Sequence, residues 1–196
     1  SANLRSTINR SRRKLAAAGA RVHIVHDAQE VQAAMDAYEH VYGLSWKQPE
    51  PFPEFLRALA HQTACMGGLR LGLCLLGERP IAAQLWTVHR QVAEIHKLAY
   101  DEACKGLGAG TVLTAELMKH VIDEDRVARI DYLIGDDDYK KRWMNHRVER
   151  QGVMGYPGTT IGGFIDGTIE GVKRNVKTVL HARRDSGRTP PTRNAR

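Results

Sequence analysis

Hydrophobic and polar residues alternate most clearly in the middle of the chain. Three strand-length runs lie at 69–76 (LRLGLCLL), 81–89 (IAAQLWTVH) and 92–100 (VAEIHKLAY), joined by the short connections GERP and RQ. In the first run leucine recurs at every second position, so these leucines share one face of a strand. Short connections between consecutive strands are typical of hairpins. The pattern therefore predicts an antiparallel three-stranded meander.

Helical spacing of apolar residues precedes this meander. It predicts a first helix from Leu4 to about Ala18, a strand at 21–25, and a second helix capped by Asp27. A shorter helix is predicted from Glu54 to about His61. The segment 47–55 (KQPEPFPEF) holds three prolines and is expected to be an extended loop.

After the meander, apolar residues at steps of four predict an amphipathic helix at 111–125. The segment 128–134 (ARIDYLI) is predicted to be a strand parallel to the one before the helix, because a helical crossover reverses the direction twice. A short helix at 136–146, a strand at 150–156 and an amphipathic helix at 164–180 complete the pattern. The predicted core face of the helix at 111–125 is Leu113, Leu117, Met118, Val121 and Ile122.

These elements predict an α+β (α/β) fold with a central, mixed, mostly antiparallel sheet flanked by helices. Three parts are expected along the chain. Residues 1–20 form a basic N-terminal helix, which could be the linker from a preceding half. Residues 21–182 form the main domain, and 183–196 form a basic tail expected to be disordered.

Composition limits the function classes. The chain has 196 residues, 42% of them hydrophobic, which is enough for a real core, and no apolar run near the length of a membrane span. Its net charge of +7 is concentrated at the two ends, which could bind nucleic acid, acidic lipid or a polyanionic substrate, or simply be solvated. Three irregularly spaced cysteines indicate neither a disulfide framework nor a metal site, and favour the cytoplasm.

The stretch 97–110 (KLAYDEACKGLGAG) ends a predicted strand with three alternate glycines and leads into a predicted helix. Backbone N–H groups at a helix start favour anions, and glycine lets the main chain come close to a ligand. The stretch could therefore bind phosphate, or it could be a tight strand-to-helix turn. It lacks the lysine of a Walker loop, and it follows an antiparallel meander instead of the parallel start of a dinucleotide fold.

Residues 105–110 (KGLGAG) resemble the acyl-CoA loop of the GNAT acyltransferases, Gln/Arg-x-x-Gly-x-Gly/Ala, with lysine in the first position. Four further stretches resemble the FemAB-related branch of that superfamily, which includes acetyltransferases linked to cellulose and exopolysaccharide clusters. They are SWK at 45–47, AAQLW at 82–86, KLAYDE at 97–102 and GDDDYKKRW at 135–143. The resemblance extends from about Arg10 to Tyr156.

This resemblance implies acetyl-CoA, or another acyl-CoA, as co-substrate, and direct attack of an amine or hydroxyl on the thioester without a metal. The pantetheine arm would lie between the fourth and fifth strands. A backbone N–H of the fourth strand would stabilise the oxyanion, and the loop amides would hold the pyrophosphate. The implied cofactor-binding residues are Leu98, Ala99, Tyr100, Lys105, Gly106, Leu107, Gly108, Ala109, Gly110 and Thr111.

Three residues, His96, Asp101 and Glu102, are candidates for the base that deprotonates the acceptor. His96 has a suitable intrinsic pKa, but it is expected to share a strand face with Leu98 and Tyr100 and could be a core histidine. Asp101 lies at the strand end nearest the cofactor and could equally be a turn residue or a helix cap.

The segment after the fifth strand supplies two more catalytic candidates. By the resemblance, Tyr139 would protonate the departing thiolate. Lys140 would assist the reacting carbonyl or bind an acidic acceptor, unless it lies on a solvated helix face. Trp46 and Lys47 could border the acceptor pocket, although core packing is the simpler expectation for Trp46. The aspartates at 136–138 are expected to be a helix-cap cluster and not a metal site.

The leading hypothesis is therefore an acyl-CoA-dependent transferase that acts on a small-molecule or sugar-containing acceptor. One alternative is a FemAB-like transferase that takes an aminoacyl group from tRNA, for which the basic ends would suit RNA. Another is a noncatalytic polyanion-binding module on the same fold.

Overall fold

The computed structural model describes residues 2–149 and 151–153. The chain divides into two compact units, 1–145 and 146–196. All the helices and strands described below belong to the first unit. In the second unit, the described residues contain neither helix nor strand, including 151–153, the described part of the strand predicted at 150–156. The predicted helix at 164–180 and the basic tail at 183–196 lie outside the described residues.

The described residues of the first unit form five α-helices, one 3-10 helix and five strands. The α-helices are α1 (Ala2–Ala17), α2 (Val31–Gly43), α3 (Pro53–Cys65), α4 (Ala109–Asp123) and α5 (Lys140–Trp143). The strands are β1 (Ala20–Val25), β2 (Leu69–Leu76), β3 (Arg79–His89), β4 (Val92–Tyr100) and β5 (Arg129–Asp131). A 3-10 helix, Glu102–Leu107, connects β4 to α4.

The strands form one sheet in the order β1-β2-β3-β4-β5. β1 to β4 are antiparallel to their neighbours, and β5 is parallel to β4. The predicted meander is confirmed, and so is the mixed, mostly antiparallel sheet flanked by helices.

Each face of the sheet has its own core. The alternate leucines of β2 pack with Met35 and Tyr38 of α2 and with residues of α3. On the opposite face, Trp86 and Ile95 pack against α4 and α1. We call these the α2–α3 face and the α4 face. Gly72 in β2 allows close packing on the α4 face, because a Cβ there would meet the Leu117 side chain at 2.7 Å.

A bulge in β4 changes which face its side chains occupy. Leu85 of β3 lies opposite Lys97, but the next residue, Trp86, lies opposite Ile95, so His96 is the extra residue. As a result, Ile95 and Leu98 both belong to the α4 face. His96 lies on the α2–α3 side, where it contacts Thr87, and the expectation that it shares a face with Leu98 and Tyr100 is wrong.

Several element ends differ from the predictions for local reasons. Asp27 does not cap α2, which begins at Val31; its carboxylate accepts from the Gln29 N–H (2.9 Å) in the preceding turn. β5 stops at Asp131, whose carboxylate accepts from the Leu133 N–H at 2.7 Å, and Leu133 has φ 57°. That local hydrogen bond diverts the backbone from the ladder.

Helices α3 and α4 also differ from the predictions. α3 continues to Cys65, four residues beyond the predicted end near His61. On α4, Leu113, Leu117 and Val121 are buried as predicted, but Ile122 is 53% exposed and lies outside the core face.

Candidate active site

The edge of β4 that faces β5 is open over its second half. The two strands pair only from Val92 to Glu94, so from Ile95 to Tyr100 no strand of the described residues pairs with β4 on that side. The Asp101 N–H donates to the Ile81 carbonyl of β3 (2.9 Å). Because hydrogen bonds alternate along an antiparallel ladder, the peptide groups of Leu98 and Tyr100 point to the open edge. They are available to a ligand that lies beside β4.

The start of α4 exposes a second set of backbone donors. Gly108, in the left-handed region at φ 72°, is the residue before the helix, and its N–H donates to the Lys105 carbonyl. The Val112 N–H donates to the Gly108 carbonyl. The three amides between them, at Ala109, Gly110 and Thr111, have no acceptor in the first helical turn. These three, instead of the whole stretch from Lys105 to Thr111, are the donors that the helix start offers to an anion.

Protein packing accounts for two of the three glycines in this stretch. A Cβ on Gly108 would lie 2.3 Å from Ser11 Oγ of α1, and its positive φ already disfavours other residues. A Cβ on Gly110 would lie 3.2 Å from the Tyr100 ring. A Cβ on Gly106 would meet nothing within 4 Å. The tight-turn interpretation therefore has a physical basis at Gly108 and Gly110.

A buried amide fixes the position of the helix start on the sheet. Gln84 of β3 is 1% exposed, and its Nε2 donates to the Gly110 carbonyl (3.0 Å) and to Thr114 Oγ1 (2.8 Å). Its Oε1 accepts from Trp86 Nε1 at 2.9 Å. Thr114 Oγ1 in turn donates to the Gly110 carbonyl (2.9 Å). Both amide hydrogens of Gln84 are used, so the carbonyl side of the Gly110–Thr111 peptide is held and its N–H direction is set.

A cavity of about 580 Å³ lies at this helix start and beside the open edge of β4. Its charged lining residues are Lys105 and Arg142, and no carboxylate lines it within the described part of the chain. An anion would therefore find positive charge and free amides together. The lining residues are Asn3, Leu4, Thr7, Trp46, Leu98, Tyr100, Lys105, Gly108, Ala109, Gly110, Thr111, Thr114, Tyr139, Arg142 and Trp143.

Helix α1 forms one wall of the cavity, which the sequence did not indicate. Lys14 Nζ donates to the Gly106 carbonyl at 2.9 Å, and Arg12 pairs with Glu116 of α4 at 2.8 Å. With Ser11 against Gly108, these contacts fasten α1 to both sides of the loop. The basic charge of α1 therefore serves partly to hold the loop.

Tyr139 is the predicted catalytic residue that the structure brings to the cavity. It lines the cavity, is 40% exposed, and packs edge-on against Tyr132 with 5.8 Å between ring centroids. Partial burial, assisted by the negative charge of Asp137, raises the pKa of the Tyr139 hydroxyl. The hydroxyl therefore keeps its proton, as an acid must.

The side chain of Lys140, the next residue, is bound by neighbouring groups of the protein. Its ammonium donates to the Ile134 carbonyl (2.6 Å) and pairs with Asp137 (3.3 Å), and it is not among the cavity residues. This arrangement fits neither a solvated helix face nor a free electrophile. It holds the turn at Gly135, whose φ is 100°.

The Asp101 carboxylate is also bound within the protein, by a hydrogen bond and an ion pair. Its carboxylate accepts from the Ala103 N–H (2.9 Å) as the cap of the 3-10 helix, and it pairs with Arg79. The residue is 3% exposed and does not line the cavity. The helix-cap alternative describes what this carboxylate does.

His96 lies on the α2–α3 side of β4, across the sheet from the cavity lining. Its Nε2 shares a hydrogen bond with Thr87 Oγ1 (2.8 Å). Within the described residues, its Nδ1 has no partner. Burial lowers the pKa of His96, Lys97 lowers it further and Glu94 opposes the effect, so the neutral form predominates at pH 7.

Trp46 and Lys47 lie near Tyr100, the last residue of β4. Trp46 is 50% exposed instead of packed in the core, and its ring packs at a tilt against Tyr100 with centroids 4.6 Å apart. Lys47 Nζ lies 5.7 Å from the ring centres of both Trp46 and Tyr42. The expectation of core packing for Trp46 is wrong, because the residue lies in the turn between α2 and the proline-rich loop and borders the cavity.

Among the described residues, no cluster of His, Cys, Asp or Glu could hold a metal ion. The aspartates at 136–138 contact lysines instead: Asp137 pairs with Lys140 and Asp138 with Lys141 (2.8 Å). No helix in the described ranges is long and apolar enough to cross a membrane.

The model of the acetyltransferase (GNAT) domain family matches residues 2–141, which is most of the chain and includes α1. A search of curated proteins found no match.

Solved acetyltransferases share the fold. A GCN5-related N-acetyltransferase from Ralstonia eutropha JMP134 is 12% identical, with a TM-score of 0.51 over 69% of this chain and 98% of that one. A predicted acetyltransferase from Clostridium acetobutylicum, solved with acetyl-CoA, is 11% identical, with a TM-score of 0.50 over 69% of this chain and 96% of that one. A weaker similarity, with a TM-score of 0.46 and 17% identity over 72% of this chain and 97% of that one, is to an aminoglycoside acetyltransferase from an uncultured soil metagenomic sample in complex with sisomicin.

Proposed function

Because the chain belongs to the GNAT acetyltransferase family, we propose that it transfers an acetyl group from acetyl-CoA to an amine or hydroxyl of a small-molecule or sugar-containing acceptor. The observation that carries the proposal is the cavity. It places the free amides of Ala109, Gly110 and Thr111 beside the open edge of β4, with Lys105 and Arg142 as its only charged lining residues in the described part of the chain.

In this proposal the cofactor lies along the α4 face. The amides at the start of α4 bind the pyrophosphate, where the helix dipole favours negative charge. The pantetheine arm runs beside β4 and exchanges hydrogen bonds with the peptide groups of Leu98 and Tyr100. One of those N–H groups stabilises the oxyanion.

The transfer itself is a direct displacement. The acceptor nitrogen or oxygen attacks the thioester carbonyl carbon, a tetrahedral oxyanion forms, and the carbon–sulfur bond then breaks. We assign the acceptor's proton to the neutral His96, whose Nδ1 is free within the described residues. Tyr139 gives its proton to the departing thiolate. We propose no proton transfer for Asp101 or Lys140, because both side chains are bound by the protein.

The proposal also covers the family branch, the class of acceptor and the cellular compartment. The stretches AAQLW and GDDDYKKRW favour the FemAB-related branch and an acceptor from polysaccharide synthesis. The free thiols of Cys65, Cys74 and Cys104 favour a reducing compartment such as the cytoplasm.

The test is calorimetric titration of acetyl-CoA into the wild type, Thr111→Asp and Thr111→Asn. Asp at the third helical position suits the helix dipole and should leave the melting temperature equal or higher. Its charge should nevertheless repel the pyrophosphate and weaken acetyl-CoA binding at least about tenfold, whereas Asn should bind nearly as the wild type does. Absence of binding to the wild type, or equal affinity in Thr111→Asp, would overturn the proposal.

A further inference from the structure

A cluster of long charged side chains surrounds Lys47, near the open edge of β4. Lys97 of β4 pairs with Glu50 of the proline-rich loop (2.7 Å), and Lys140 pairs with Asp137 (3.3 Å). Lys47 lies within electrostatic range of all four of these groups. Three lysines and two carboxylates leave one positive charge in excess.

That excess charge resides on Lys47. Each carboxylate of the cluster already has its own lysine, and within the described residues the Lys47 ammonium has neither an ion pair nor a hydrogen bond. It lies over the faces of Tyr42 and Trp46, at 5.7 Å from each ring centre. Two aromatic faces compensate a partly buried cation incompletely.

Partial burial is the main reason that the pKa of Lys47 is lowered. The charge of Lys97 lowers this pKa further, while Glu50 and Asp137 act in the opposite direction. An added negative charge would offset both the burial and the repulsion. The site is thus electrostatically suited to an anion.

Lys47 is close to the proposed reaction centre. The Trp46 ring beneath it packs against Tyr100, which lines the cavity and ends β4. Lys97 lies on β4 itself, next to the bulged His96. A molecule that reaches the open edge of β4 from the α2–α3 side would therefore meet Lys47 and His96 before the thioester.

We propose that the acceptor carries an anionic group, a carboxylate or a phosphate, near its nucleophile, and that Lys47 binds this group. The inference rests on the proposed acetyltransferase function. In the reaction, the acceptor amine forms the new bond to the acyl carbon and loses one proton to His96. The sulfur leaves with a proton from Tyr139, and Lys47 keeps its protons throughout. Lys47 thus determines which acceptor is used and takes no part in bond making.

The experiment compares acceptors that differ by one negative charge. The pairs are β-alanine against β-alaninamide, and glucosamine 6-phosphate against glucosamine, assayed by CoA-thiol release. Each is measured with the wild type, Lys47→Met and Lys47→Arg. Dividing each variant's kcat/KM by the wild-type value for the same acceptor removes differences in amine reactivity. The two pairs distinguish a carboxylate from a phosphate.

We expect the wild type to prefer the charged member of at least one pair. Lys47→Met should lower kcat/KM for that member about 10- to 100-fold, the usual effect of losing a charged hydrogen bond, and should leave the neutral member within about twofold. Lys47→Arg should keep most of the preference, because it keeps the charge.

Three results would overturn the inference. The first is no turnover of a charged member, or no preference for one, in the wild type. The second is an equal loss on charged and neutral acceptors in Lys47→Met. The third is that Lys47→Arg loses as much activity as Lys47→Met on both the charged and the neutral acceptor. That result would indicate that Lys47 accepts a proton, because arginine keeps the charge but cannot act as a base. Acetyl-CoA calorimetry on the same samples separates these results from failure of the proposed function, because Lys47→Met should bind acetyl-CoA as the wild type does.

Discussion

The two faces of the sheet at the end of β4 are built in different ways. On the α4 face, the cavity is formed by backbone amides whose direction is fixed by a buried network around Gln84. On the α2–α3 face, the surface includes long charged side chains, such as the ion pair between Lys97 of β4 and Glu50 of the proline-rich loop. A cofactor that is the same in every turnover suits a site made of main chain. An acceptor that differs between enzymes suits a site made of replaceable side chains.

The largest effect should come from removing the network on the α4 face. Gln84→Leu leaves the buried Trp86 indole N–H without its acceptor, and it removes the donor to Thr114 Oγ1 and to the Gly110 carbonyl, which keep their hydrogen bond to each other. Unpartnered buried groups cost about 1–3 kcal/mol each, so we expect a loss of about 3 kcal/mol in the free energy of unfolding. Acetyl-CoA affinity should fall with it, because the helix start loses its anchor.

Urea denaturation and calorimetry at a temperature where the variant is folded measure both quantities. Gln32→Leu is the matched control, since it removes only an exposed hydrogen bond to Asp36 (3.2 Å). If Gln84→Leu is destabilised but binds acetyl-CoA unchanged, the network supports the fold and does not position the amides.

The second-largest effect should come from removing the proposed acid, the hydroxyl of Tyr139. Tyr139→Phe should lower kcat about 100-fold, within the usual range for general acid catalysis, with little change in acetyl-CoA affinity. Because burial raises the pKa of Tyr139, the wild type should show no alkaline loss of kcat from this group below about pH 10. Tyr132→Phe, in the neighbouring ring that does not line the cavity, is the control. Equal losses in the two variants would count against an acid at Tyr139.

The third-largest effect should come from adding a methyl group at Gly72, between β2 and α4. Gly72→Ala adds a Cβ 2.7 Å from Leu117 and 3.0 Å from Leu113, two buried side chains, and should cost about 2 kcal/mol of unfolding free energy through overpacking. Gly43→Ala, at the end of α2, adds a Cβ that meets nothing within 4 Å and should be neutral or slightly stabilising. Similar melting temperatures for the two variants would mean that α4 can move away from β2 at little cost.

The two faces also differ in how far the sequence predicts them. Alternating leucines and short connections determine the meander locally, so the bounds of β2 and β4 were predicted to the residue. The glycine stretch likewise predicts the position of a helix start. Both signals depend on neighbouring residues along the chain, which is why a single sequence carries them.

What the sequence missed depends on contacts between distant segments. The bulge at His96 is a mismatch between two strands, and nothing in VAEIHKLAY indicates it. The fastening of α1 to the loop joins Lys14 to Gly106, 92 positions apart. Asp101 and Lys140 have chemistry suited to catalysis, but Arg79 and the Ile134 carbonyl bind them, and those partners cannot be read from spacing.

The smallest effect is a pH dependence of stability from the α2–α3 face. Burial lowers the pKa of His96 in the folded protein. Below the ordinary pKa of about 6.5 the unfolded chain therefore binds this proton more readily than the folded one. Stability from this group is fully present above pH 6.5 and decreases as the pH falls below it. Thermal unfolding of the wild type should thus become easier over that range, and His96→Gln should lose part of this dependence. His89→Gln, at an exposed end of β3, should keep it. If all three proteins respond alike, His96 is not held neutral by its surroundings, and its assignment as the base loses its electrostatic support.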